Sequence, residues 1–448
     1  MNDTSNPSGR NRREFMKKGS VLAGGLIAAP LLSKANFFSG ADDAIKVALV
    51  GCGGRGTGAA MQALLTKQNV KLVAMADAFR DRLDDCYKAL TAEDISDWSG
   101  VKGNVKAKVD VPEERKFTGF DGYRKAIALA DVVILTTPPG FRPIHFEEAV
   151  KQGKHIFMEK PVATDPVGIR RVLAAAEEAK KKKLNVVVGL QRHYQNSYRE
   201  LYKRKDLVGD ITSAQAWWNN DGVWVNPRKD GQTEMEYQMR NWYYFVWLCG
   251  DHIVEQHIHN IDVINWFKGS YPVKAQGMGG REVRKGKDTG EIFDHHYVEF
   301  EYADGSILNS QCRHIKNTMA KVDELIIGTK GKIFCGAAKI TDLKGNALYS
   351  FDRKGENNPY QAEHDELFEA IAKGEYRFAD AENGAKSTMT AILGRMATYS
   401  GQMLSWDRAL NSGLDLMPKQ FDWAAAPPIT PGADGLYMAA VPGITKYV

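Results

Sequence analysis

Residues 47–58 read VALVGCGGRGTG, an apolar run that passes directly into a glycine-rich loop. The run begins at Ile45, and a continuous apolar segment of this kind is typical of a parallel strand buried on both faces. The loop has the spacing GxGxxG, with its glycines at Gly51, Gly53 and Gly56. In such a loop the first glycine permits a tight turn, the second lets the backbone approach a pyrophosphate, and the third lets the next helix pack against the strand. The stretch therefore predicts a dinucleotide site, with the phosphates at the helix N-terminus.

The next apolar segment, VKLVAMAD, ends at Asp77, 26 residues after Gly51. An acidic residue at this position meets the adenosine ribose of a bound dinucleotide. The Asp77 carboxylate would repel a 2′-phosphate, which favours NAD, while the nearby Arg80 and Arg82 keep NADP as the alternative. Strands and helices continue to alternate through residue 190, and this alternation predicts a doubly wound α/β domain with a parallel sheet.

The segment 250–267, GDHIVEQHIHNIDVINWF, has the spacing of an amphipathic helix. Ionisable side chains recur on one face, at His252, Glu255, His259 and Asp262. The opposite face has an apolar stripe, at Val254, Ile258, Ile261 and Ile264. A histidine and a glutamate on one helix face can bind zinc, and His252, His257 and His259 cluster in the sequence. The HExxH spacing is absent and no cysteine joins them, so we expect no metal.

Residues 136–165 read TTPPGFRPIHFEEAVKQGKHIFMEKPVATD. The pair Thr137-Pro138, His145 and the triplet Glu159-Lys160-Pro161 together resemble the signature of the Gfo/Idh/MocA oxidoreductases. The resemblance covers residues 45–410 and includes the 250–267 segment, where Glu255 stands in place of the family's aspartate.

The resemblance implies an NAD(P)-dependent oxidoreductase in which Lys160 lies beside the nicotinamide and the reacting hydroxyl, with His259 as the general acid–base. It implies that Glu255 binds a substrate hydroxyl or orients the histidine, that the loop with Arg192 and His193 enters the cleft, and that Asp262 caps or braces the structure. A histidine suits the removal of a hydroxyl proton because its pKa lies near neutrality. The residues expected to contact the cofactor are Gly51, Gly53, Gly54, Arg55, Gly56, Asp77, Thr137, Pro138, His145, Glu159 and Lys160.

Six of the nine tryptophans fall between residues 217 and 266. Aromatic faces beside amide and charged groups suit the C–H faces and hydroxyls of a sugar. We interpret most of these aromatic residues as sheet core or subunit interface. Trp242 and Arg240, immediately upstream of the 250–267 segment, are the candidates for substrate contact.

After residue 190 the pattern changes to strands joined by hairpin turns such as ADGS and TKGK. We expect a Rossmann domain at 44–190, followed at 191–355 by an α+β domain with an open, mostly antiparallel sheet, as in the second domain of the family. Late helices at 356–421 return to the core, and residues 422–448 form an arm over the surface or a neighbouring subunit. The resemblance also implies a homo-oligomer, a dimer or tetramer.

Residues 1–35 contain Arg12-Arg13, Phe15 and Lys17-Lys18, followed by a short apolar stretch that ends near Ala35. This leader resembles a twin-arginine (Tat) signal, which exports folded proteins to the periplasm, with cleavage near Ala35. The apolar stretch is too short for a stable membrane anchor. The five scattered cysteines lack metal or disulfide spacing, and we expect buried thiols, consistent with folding before export.

The net charge of +5 falls to about +1 without the leader, which gives no basis for a nucleic-acid partner. We expect an oxidoreductase that transfers a hydride between a tightly held NAD and a secondary hydroxyl of a sugar, sugar derivative or cyclitol. One alternative is a glycoside-processing enzyme that oxidises a ring hydroxyl, eliminates the aglycone and reduces the ring with the same NAD. Another is a non-catalytic sugar-binding protein, against which the intact glycine loop, Asp77, Lys160 and His259 argue.

Overall fold

The first half of the chain alternates strands and helices, as its sequence pattern predicts. The structure, a computed structural model, describes residues 44–446. In chain order the elements are β1 (Ile45–Val50), α1 (Gly54–Leu65), β2 (Val70–Asp77), α2 (Arg80–Leu90), β3 (Ile95–Ser96), β4 (Lys102–Gly103), β5 (Lys116–Thr118), α3 (Gly122–Ala128), β6 (Val132–Leu135), α4 (Arg142–Lys151), β7 (His155–Met158), α5 (Pro166–Lys181) and β8 (Val186–Val188). Six of the strands form a parallel sheet in the order β5-β2-β1-β6-β7-β8, which confirms the doubly wound fold.

Helices cover both faces of this parallel sheet. Along β1, Val47 and Leu49 pack with α1 and α2 in one hydrophobic cluster, whereas Ala48 and Val50 pack with α3, α4 and α5 in another. Burial on both faces explains why the strands read as continuous apolar runs instead of alternating patterns.

The second half of the chain is built on a larger sheet. Its elements are α6 (Asn196–Tyr202), β9 (Ile211–Asn220), α7 (Glu234–Arg240), α8 (Val246–Cys249), α9 (His252–Glu255), α10 (Ile258–Lys268), β10 (Lys274–Gly280), β11 (His295–Glu301), β12 (Ile307–His314), β13 (Lys321–Gly328), β14 (Gly331–Phe334), β15 (Lys339–Asp342), β16 (Ala347–Ser350), α11 (Pro359–Ala372), α12 (Ala381–Ser400), β17 (Leu404–Ser405) and α13 (Trp406–Leu410). The strand order is β16-β15-β14-β13-β9-β12-β11-β10-β17, and β9 with β12 is the parallel pair among otherwise antiparallel neighbours. The expected mostly antiparallel sheet is confirmed.

One hydrophobic cluster joins the two sheets. It includes Val188 of the parallel sheet, Ile169 of α5, Ile261 of α10, Met389 of α12 and Phe300 of the second sheet. Helix α12 packs against both α5 and strand β10, and α10 packs against β9. The segment that carries Glu255 and His259 is therefore held between the second sheet and α12, close to the carboxyl ends of the parallel strands.

The expectation of one amphipathic helix over residues 250–267 is wrong. The structure has two helices, α9 and α10, which are separated at Gln256 and His257. Every residue from 252 to 265 except Gln256 is buried, because the sheet covers one side and α12 the other. The polar residues of the pattern do not form a solvent-facing stripe; they are internal groups that need partners.

The C-terminal tail lies over its own chain. Beyond α13 the backbone is irregular, and Phe421 and Trp423 pack against Phe120, with ring centroids 6.0 and 4.5 Å away. Trp423 also contacts Phe79, at 5.0 Å. This arrangement corresponds to the first of the two positions expected for the arm.

The leader at residues 1–35 lies outside the described residues. Among residues 44–446, no helix is both long enough and apolar enough to cross a membrane. All five cysteines are free and buried, as expected.

Candidate active site

The glycine loop after β1 leaves open space at Gly53 and Gly54 and none at Gly51 and Gly56. Gly51 has φ +98°, and a Cβ there would lie 2.5 Å from the Thr137 nitrogen. A Cβ on Gly56 would lie 1.9 Å from the Gly51 oxygen, so the third glycine is required for the close approach of α1. A Cβ on Gly53 would meet no atom within 4 Å. The loop therefore offers a backbone cradle at Gly53, where a pyrophosphate fits.

Asp77 ends β2 beside this loop. Its carboxylate accepts backbone N–H bonds from Cys52 at 2.6 Å and from Phe79 at 2.9 Å. Burial raises the pKa of Asp77, and the two N–H bonds oppose that shift. Each carboxylate oxygen keeps a lone pair for a further donor, such as a ribose hydroxyl.

A cavity of about 510 Å³ runs along the loop and Asp77. Its lining includes the loop residues Gly51, Gly53, Gly54, Arg55 and Gly56, with Asp77, Thr137, Pro138 and His145. Aromatic side chains form much of the remaining wall, namely Phe79, Phe120, Tyr123, Phe141, Trp224 and Trp242. Nine of the eleven residues expected to contact the cofactor thus share one cavity, and Glu159 and Lys160 lie outside its lining.

Arg240 lies at the Asp77 end of this cavity. Its guanidinium pairs with Asp81 at 2.9 Å and lies 4.0 Å from the centroid of the Phe79 ring. Trp242 lines the same cavity and meets Trp224 edge to face. These positions favour contact of both residues with a nucleotide over the substrate contact expected from the sequence.

Arg55 connects the glycine loop to the end of β7. It forms ion pairs with Glu159 and with Glu363 of α11. Glu159 in turn accepts the backbone N–H of Lys160 at 3.2 Å. Burial raises the pKa of Glu363, while the Arg55 charge opposes that shift. Sequence reasoning missed Glu363, which lies about 300 residues after the loop on a helix with no motif of its own.

The loop after β6 is fixed by Arg142. Its guanidinium donates to the Thr137 carbonyl at 2.7 Å and to the Glu159 carbonyl at 2.9 Å, and so joins the ends of β6 and β7. The Thr137 hydroxyl lies 3.1 Å from His145 Nδ1. Burial and the Arg142 charge lower the pKa of His145 to about 3, so this imidazole is neutral. Arg142 was not predicted, although it stands within the TTPPGFRP motif.

Lys160 and Glu255 meet at one point, although 95 residues separate them, and His259 lies near enough for the Lys160 charge to act on it. Lys160 Nζ donates to the Glu255 carboxylate at 2.9 Å and to the Glu255 carbonyl at 2.6 Å. Burial raises the pKa of Glu255, and the Lys160 charge opposes the shift. Burial and then the Lys160 charge hold the pKa of His259 well below its usual value. The arrangement places a neutral imidazole near an ammonium group that is itself held by a carboxylate.

Arg192 is engaged within the protein. It pairs with buried Glu324 of β13, and the Tyr198 ring lies 5.5 Å from its guanidinium carbon. The neighbouring His193 lies 2.7 Å from Asp262. Asp262 also accepts a hydrogen bond from Ser387 of α12 at 2.7 Å, which confirms its expected bracing role.

Two residues of the aromatic cluster that the sequence assigned to sheet core or subunit interface, Trp218 and Tyr243, flank the ionisable group. The Trp218 ring of β9 stacks on His259, with centroids 5.8 Å apart. The buried Tyr243 hydroxyl faces Glu255 and lowers its pKa. The tryptophan cluster at residues 217–266 indicated that aromatic residues border the site. The sequence pattern, however, favoured Trp242 over Trp218 as the substrate contact.

The three histidines of the 250–267 segment do not converge on one point. His252 Nδ1 lies 2.7 Å from Asp251, His257 Nε2 lies 2.8 Å from Ser310 Oγ, and His259 stacks on Trp218. The zinc arrangement considered from the sequence is therefore not formed by these residues.

A different group, Asp251, His252 and His296, has nitrogen and oxygen atoms within 4.8 Å of one another in the buried interior. The Asp251 carboxylate accepts the Phe293 N–H at 2.9 Å, and the Arg284 guanidinium lies 3.5 Å from His252. Because this fixed positive charge would repel a metal ion, we interpret the group as an internal hydrogen-bond network.

Comparison with known proteins agrees with the N-terminal site. Residues 45–189 match the sequence model of the Gfo/Idh/MocA oxidoreductase family, NAD-binding Rossmann fold. The inositol 2-dehydrogenase of Gluconacetobacter diazotrophicus is 29% identical over 169 residues, which are 37% of this chain and 44% of that protein. The alignment thus spans less than half of the relative's length. Residues 45–189 are an NAD-binding Rossmann domain, and the family resemblance read from the motifs is supported.

Solved structures extend the likeness to both sheets. The scyllo-inositol dehydrogenase of Lactobacillus casei, solved with NAD(H) and scyllo-inositol, has a TM-score of 0.59 at 19% identity, over 82% of this chain and all of that one. The aldose-aldose oxidoreductase of Caulobacter crescentus has a TM-score of 0.62 at 17% identity, over 81% of this chain and all of that one. At these identities the likeness establishes the two-sheet fold.

Proposed function

We propose that this chain is an NAD-dependent oxidoreductase that acts on a secondary hydroxyl of a sugar, sugar derivative or cyclitol. The observation that carries the proposal is the contact of Lys160 with Glu255, near His259 and next to the strand ends that hold the glycine loop. The inositol and aldose chemistry named for similar proteins supports this substrate class.

The residues around the cavity fit a dinucleotide. Space at Gly53 accepts a pyrophosphate, and the Asp77 carboxylate accepts ribose hydroxyls. Thr137, Pro138 and His145 continue the wall towards Lys160. When bound, NAD supplies the hydride acceptor.

The protein's own residues handle the proton. Neutral His259 accepts the proton of the reacting hydroxyl, because its lowered pKa keeps the imidazole unprotonated at neutral pH. The Lys160 ammonium donates a hydrogen bond to the same oxygen and stabilises the negative charge that develops there. Glu255 holds Lys160 in place through its carboxylate and its carbonyl. In the reverse direction His259 returns the proton.

We further propose that the nucleotide is released slowly and recycled in place. Phe79 and Phe120 line the cavity, and Trp423 of the tail covers both from outside. A wall supported by the tail slows opening of the site. Recycling by a second substrate is the chemistry that the name of the aldose-aldose oxidoreductase describes.

Mass spectrometry of nucleotide released from purified, denatured protein tests cofactor and retention together. We expect stoichiometric NAD(H). The same protein, incubated with a panel of cyclitols and pyranoses, is expected to change nicotinamide absorbance at 340 nm, and Lys160→Met is expected not to. Purified protein that holds no nucleotide and binds none when titrated would refute the proposal.

A second candidate, the NAD-recycling glycoside-processing enzyme, is favoured by one observation. Glu255 and His259 provide two proton-transfer groups near Lys160, and burial raises the pKa of the glutamate. Transient oxidation followed by elimination needs a second acid–base group. Release of nitrophenol from a nitrophenyl glycoside, without added NAD and without net NADH, would favour this candidate over the dehydrogenase.

We propose that the chain is exported in the folded state through the Tat pathway, with its nucleotide already bound, and that it forms a homo-oligomer. Five free, buried thiols support folding in a reducing compartment. Replacement of Arg12 and Arg13 by lysine is expected to keep the protein in the cytoplasm on cell fractionation. Light scattering of the mature protein measures the oligomer.

A further inference from the structure

Helix α9 is a single helical turn, and it is held at both ends. At its beginning the Asp251 carbonyl accepts the Glu255 N–H at 2.9 Å. At its end the Glu255 carbonyl accepts a hydrogen bond from Lys160 Nζ at 2.6 Å, and the Glu255 carboxylate accepts another at 2.9 Å. A single turn has little stability of its own, because the first turn of a helix is costly to form. The position of the Lys160 ammonium group therefore depends on how Asp251 is held.

Asp251 has a backbone conformation that normally belongs to glycine. Its φ is +74° and its ψ is 160°, and this φ is the largest positive value of any non-glycine residue among residues 44–446. A residue with a side chain is disfavoured in this region and persists there only where the surrounding structure fixes it. A glycine would adopt the same turn without strain. The turn alone therefore does not account for an aspartate at this position.

The Asp251 carboxylate fastens the turn to two other parts of the fold. Its Oδ2 accepts the Phe293 N–H at 2.9 Å, from the segment before β11, and the hydroxyl hydrogen bond of Tyr399 on α12. Its Oδ1 accepts the His252 N–H and lies 2.7 Å from His252 Nδ1. Burial acts to raise the pKa of Asp251, but its contacts with His252 and His296 hold that pKa well below its usual value. The group is thus a buried anion with donors on several sides, and these contacts hold the disfavoured backbone in place.

Helix α12 also fixes the loop that follows Lys160. Its buried Arg395 donates to the Thr164 carbonyl at 2.7 Å and to the Gly250 carbonyl at 3.0 Å. Thr164 lies four residues after Lys160, and Gly250 directly precedes Asp251. Arg395 therefore joins the two segments of chain that meet at the ammonium group, on the same helix that contacts the Asp251 carboxylate.

We propose that Asp251 is a positioning residue, which fixes α9 against α12 and so holds Glu255 and the Lys160 ammonium group where the reacting hydroxyl binds. Asp251 does not itself line the nucleotide cavity, and it acts on Lys160 through Glu255. This inference rests on the proposed function for the chemistry at Lys160. It extends that function to a residue whose role is to hold the reacting groups in place.

The test removes the carboxylate in two variants that differ in their backbone preference. Asp251→Ala keeps a Cβ and with it the disfavoured φ, whereas Asp251→Gly adopts the turn freely. Tyr399→Phe is a milder variant that deletes one hydrogen bond to the carboxylate. Asp288→Ala is the matched control, because Asp288 also accepts a backbone N–H, from Arg228 at 3.0 Å, and a tyrosine hydroxyl, from Tyr237 at 2.9 Å.

Acetylation of Lys160 measures how firmly the amine is held without any substrate. Nucleotide-free protein is treated with acetic anhydride, and mass spectrometry gives the rate at Lys160 relative to the exposed Lys151. An amine held by two hydrogen bonds reacts slowly, because these bonds must break before the nitrogen attacks. We expect both Asp251 variants to raise the relative rate by about 10-fold, the factor for one lost hydrogen bond to a charged group. Asp288→Ala is expected to react as the wild type.

Hydride transfer provides the second measurement, with myo-inositol and D-glucose as probes and absorbance at 340 nm. We expect kcat to fall by about 10- to 100-fold in both Asp251 variants, the effect of a displaced reacting group, while KM and NAD affinity stay near the wild-type values. Denaturant unfolding is expected to show Asp251→Gly to be more stable than Asp251→Ala, because glycine relieves the backbone. A low kcat in both variants, despite this difference in stability, separates positioning from general destabilisation.

Wild-type acetylation of Lys160 and wild-type kcat in Asp251→Gly would overturn the inference, and so would equal changes in the Asp288→Ala control. If neither Asp251 variant folds, Tyr399→Phe decides the question. We expect it to raise the acetylation rate by about 2- to 5-fold, since one bond to the carboxylate is lost, and an unchanged rate would overturn the inference.

The two measurements also separate this inference from the proposed function. Faster acetylation in the Asp251 variants of a protein that transfers no hydride to either probe would support the positioning role and count against the proposed function. Hydride transfer with the same kcat in the wild type and the Asp251 variants would support the proposed function and refute the positioning role.

Discussion

Replacement of Gly53 by alanine is expected to separate nucleotide binding from folding. The residue has φ −74° and ψ −176°, which alanine adopts freely, and its Cβ would meet no atom within 4 Å. We expect the free energy of unfolding to rise by about 0.4–1 kcal/mol, because alanine restricts the unfolded chain. The added methyl group occupies the space assigned to the pyrophosphate. Loss of one charge-assisted N–H bond, about 1.5–3 kcal/mol, predicts about 10- to 150-fold weaker NAD binding.

Replacement of Gly56 by alanine is expected to have the opposite effect and to destabilise the fold. Its Cβ would lie 1.9 Å from the Gly51 oxygen, a backbone atom that cannot rotate away. We expect a loss of about 3 kcal/mol or more of stability, through overpacking between α1 and β1. Gly286→Ala is the neutral control, since its Cβ would meet no atom within 4 Å and the residue lies outside the cavity lining.

The assay has two parts. Denaturant unfolding of nucleotide-free protein measures stability, and calorimetric titration with NAD measures affinity. Wild-type NAD affinity in Gly53→Ala would refute the assignment of this space to the pyrophosphate. Wild-type stability in Gly56→Ala would refute the close approach of α1 to the loop.

Three further predictions concern the reacting groups. Lys160→Met should lower kcat/KM by about 10²- to 10⁴-fold at unchanged NAD affinity. Replacement of the exposed Lys151 by methionine is the matched control. A loss of activity in both variants would contradict the assignment of Lys160 to the reacting hydroxyl. Because burial and the Lys160 charge lower the pKa of His259, its neutral form persists as pH falls, so kcat/KM should stay level from pH 8 down through 6.5 and decline only below. An acid limb near pH 6.5 that disappears in His259→Asn would show that reasoning to be wrong. Asp77→Asn should weaken NAD by about 10- to 100-fold and improve NADP relative to NAD, as measured by titration; an unchanged ratio of the two affinities would argue against a ribose contact.

The sequence was sufficient where all determinants of a feature lie close together in the chain. The strand, turn and helix at Ile45–Leu65 depend on apolar runs and three glycines within a few turns of backbone, and the structure forms them as predicted. The two-sheet architecture followed from the change in pattern after residue 190. The meeting of Lys160 with Glu255 was expected from a family resemblance; spacing alone does not bring together residues 95 positions apart.

Sequence reasoning failed where distant packing decides what a residue does. The 250–267 pattern has a helical period, but both faces are buried, so the period does not distinguish core from surface there. Arg240 was predicted to contact substrate, but the fold places Asp81 beside it. Trp218 and Tyr243 cannot be told apart from their aromatic neighbours by residue type. They reach the site because β9 orients Trp218 and the turn before α8 orients Tyr243.

The position of Trp423 has a consequence during synthesis. Phe79 and Phe120 emerge from the ribosome early, but the ring that covers them follows roughly 300 residues later, which at ordinary elongation rates is about 15–60 s. During that interval the nascent Rossmann domain exposes two aromatic residues of its nucleotide wall. The nascent chain therefore presents a nucleotide site whose aromatic wall is only partly covered, and docking of the tail, which completes that cover, is a late event.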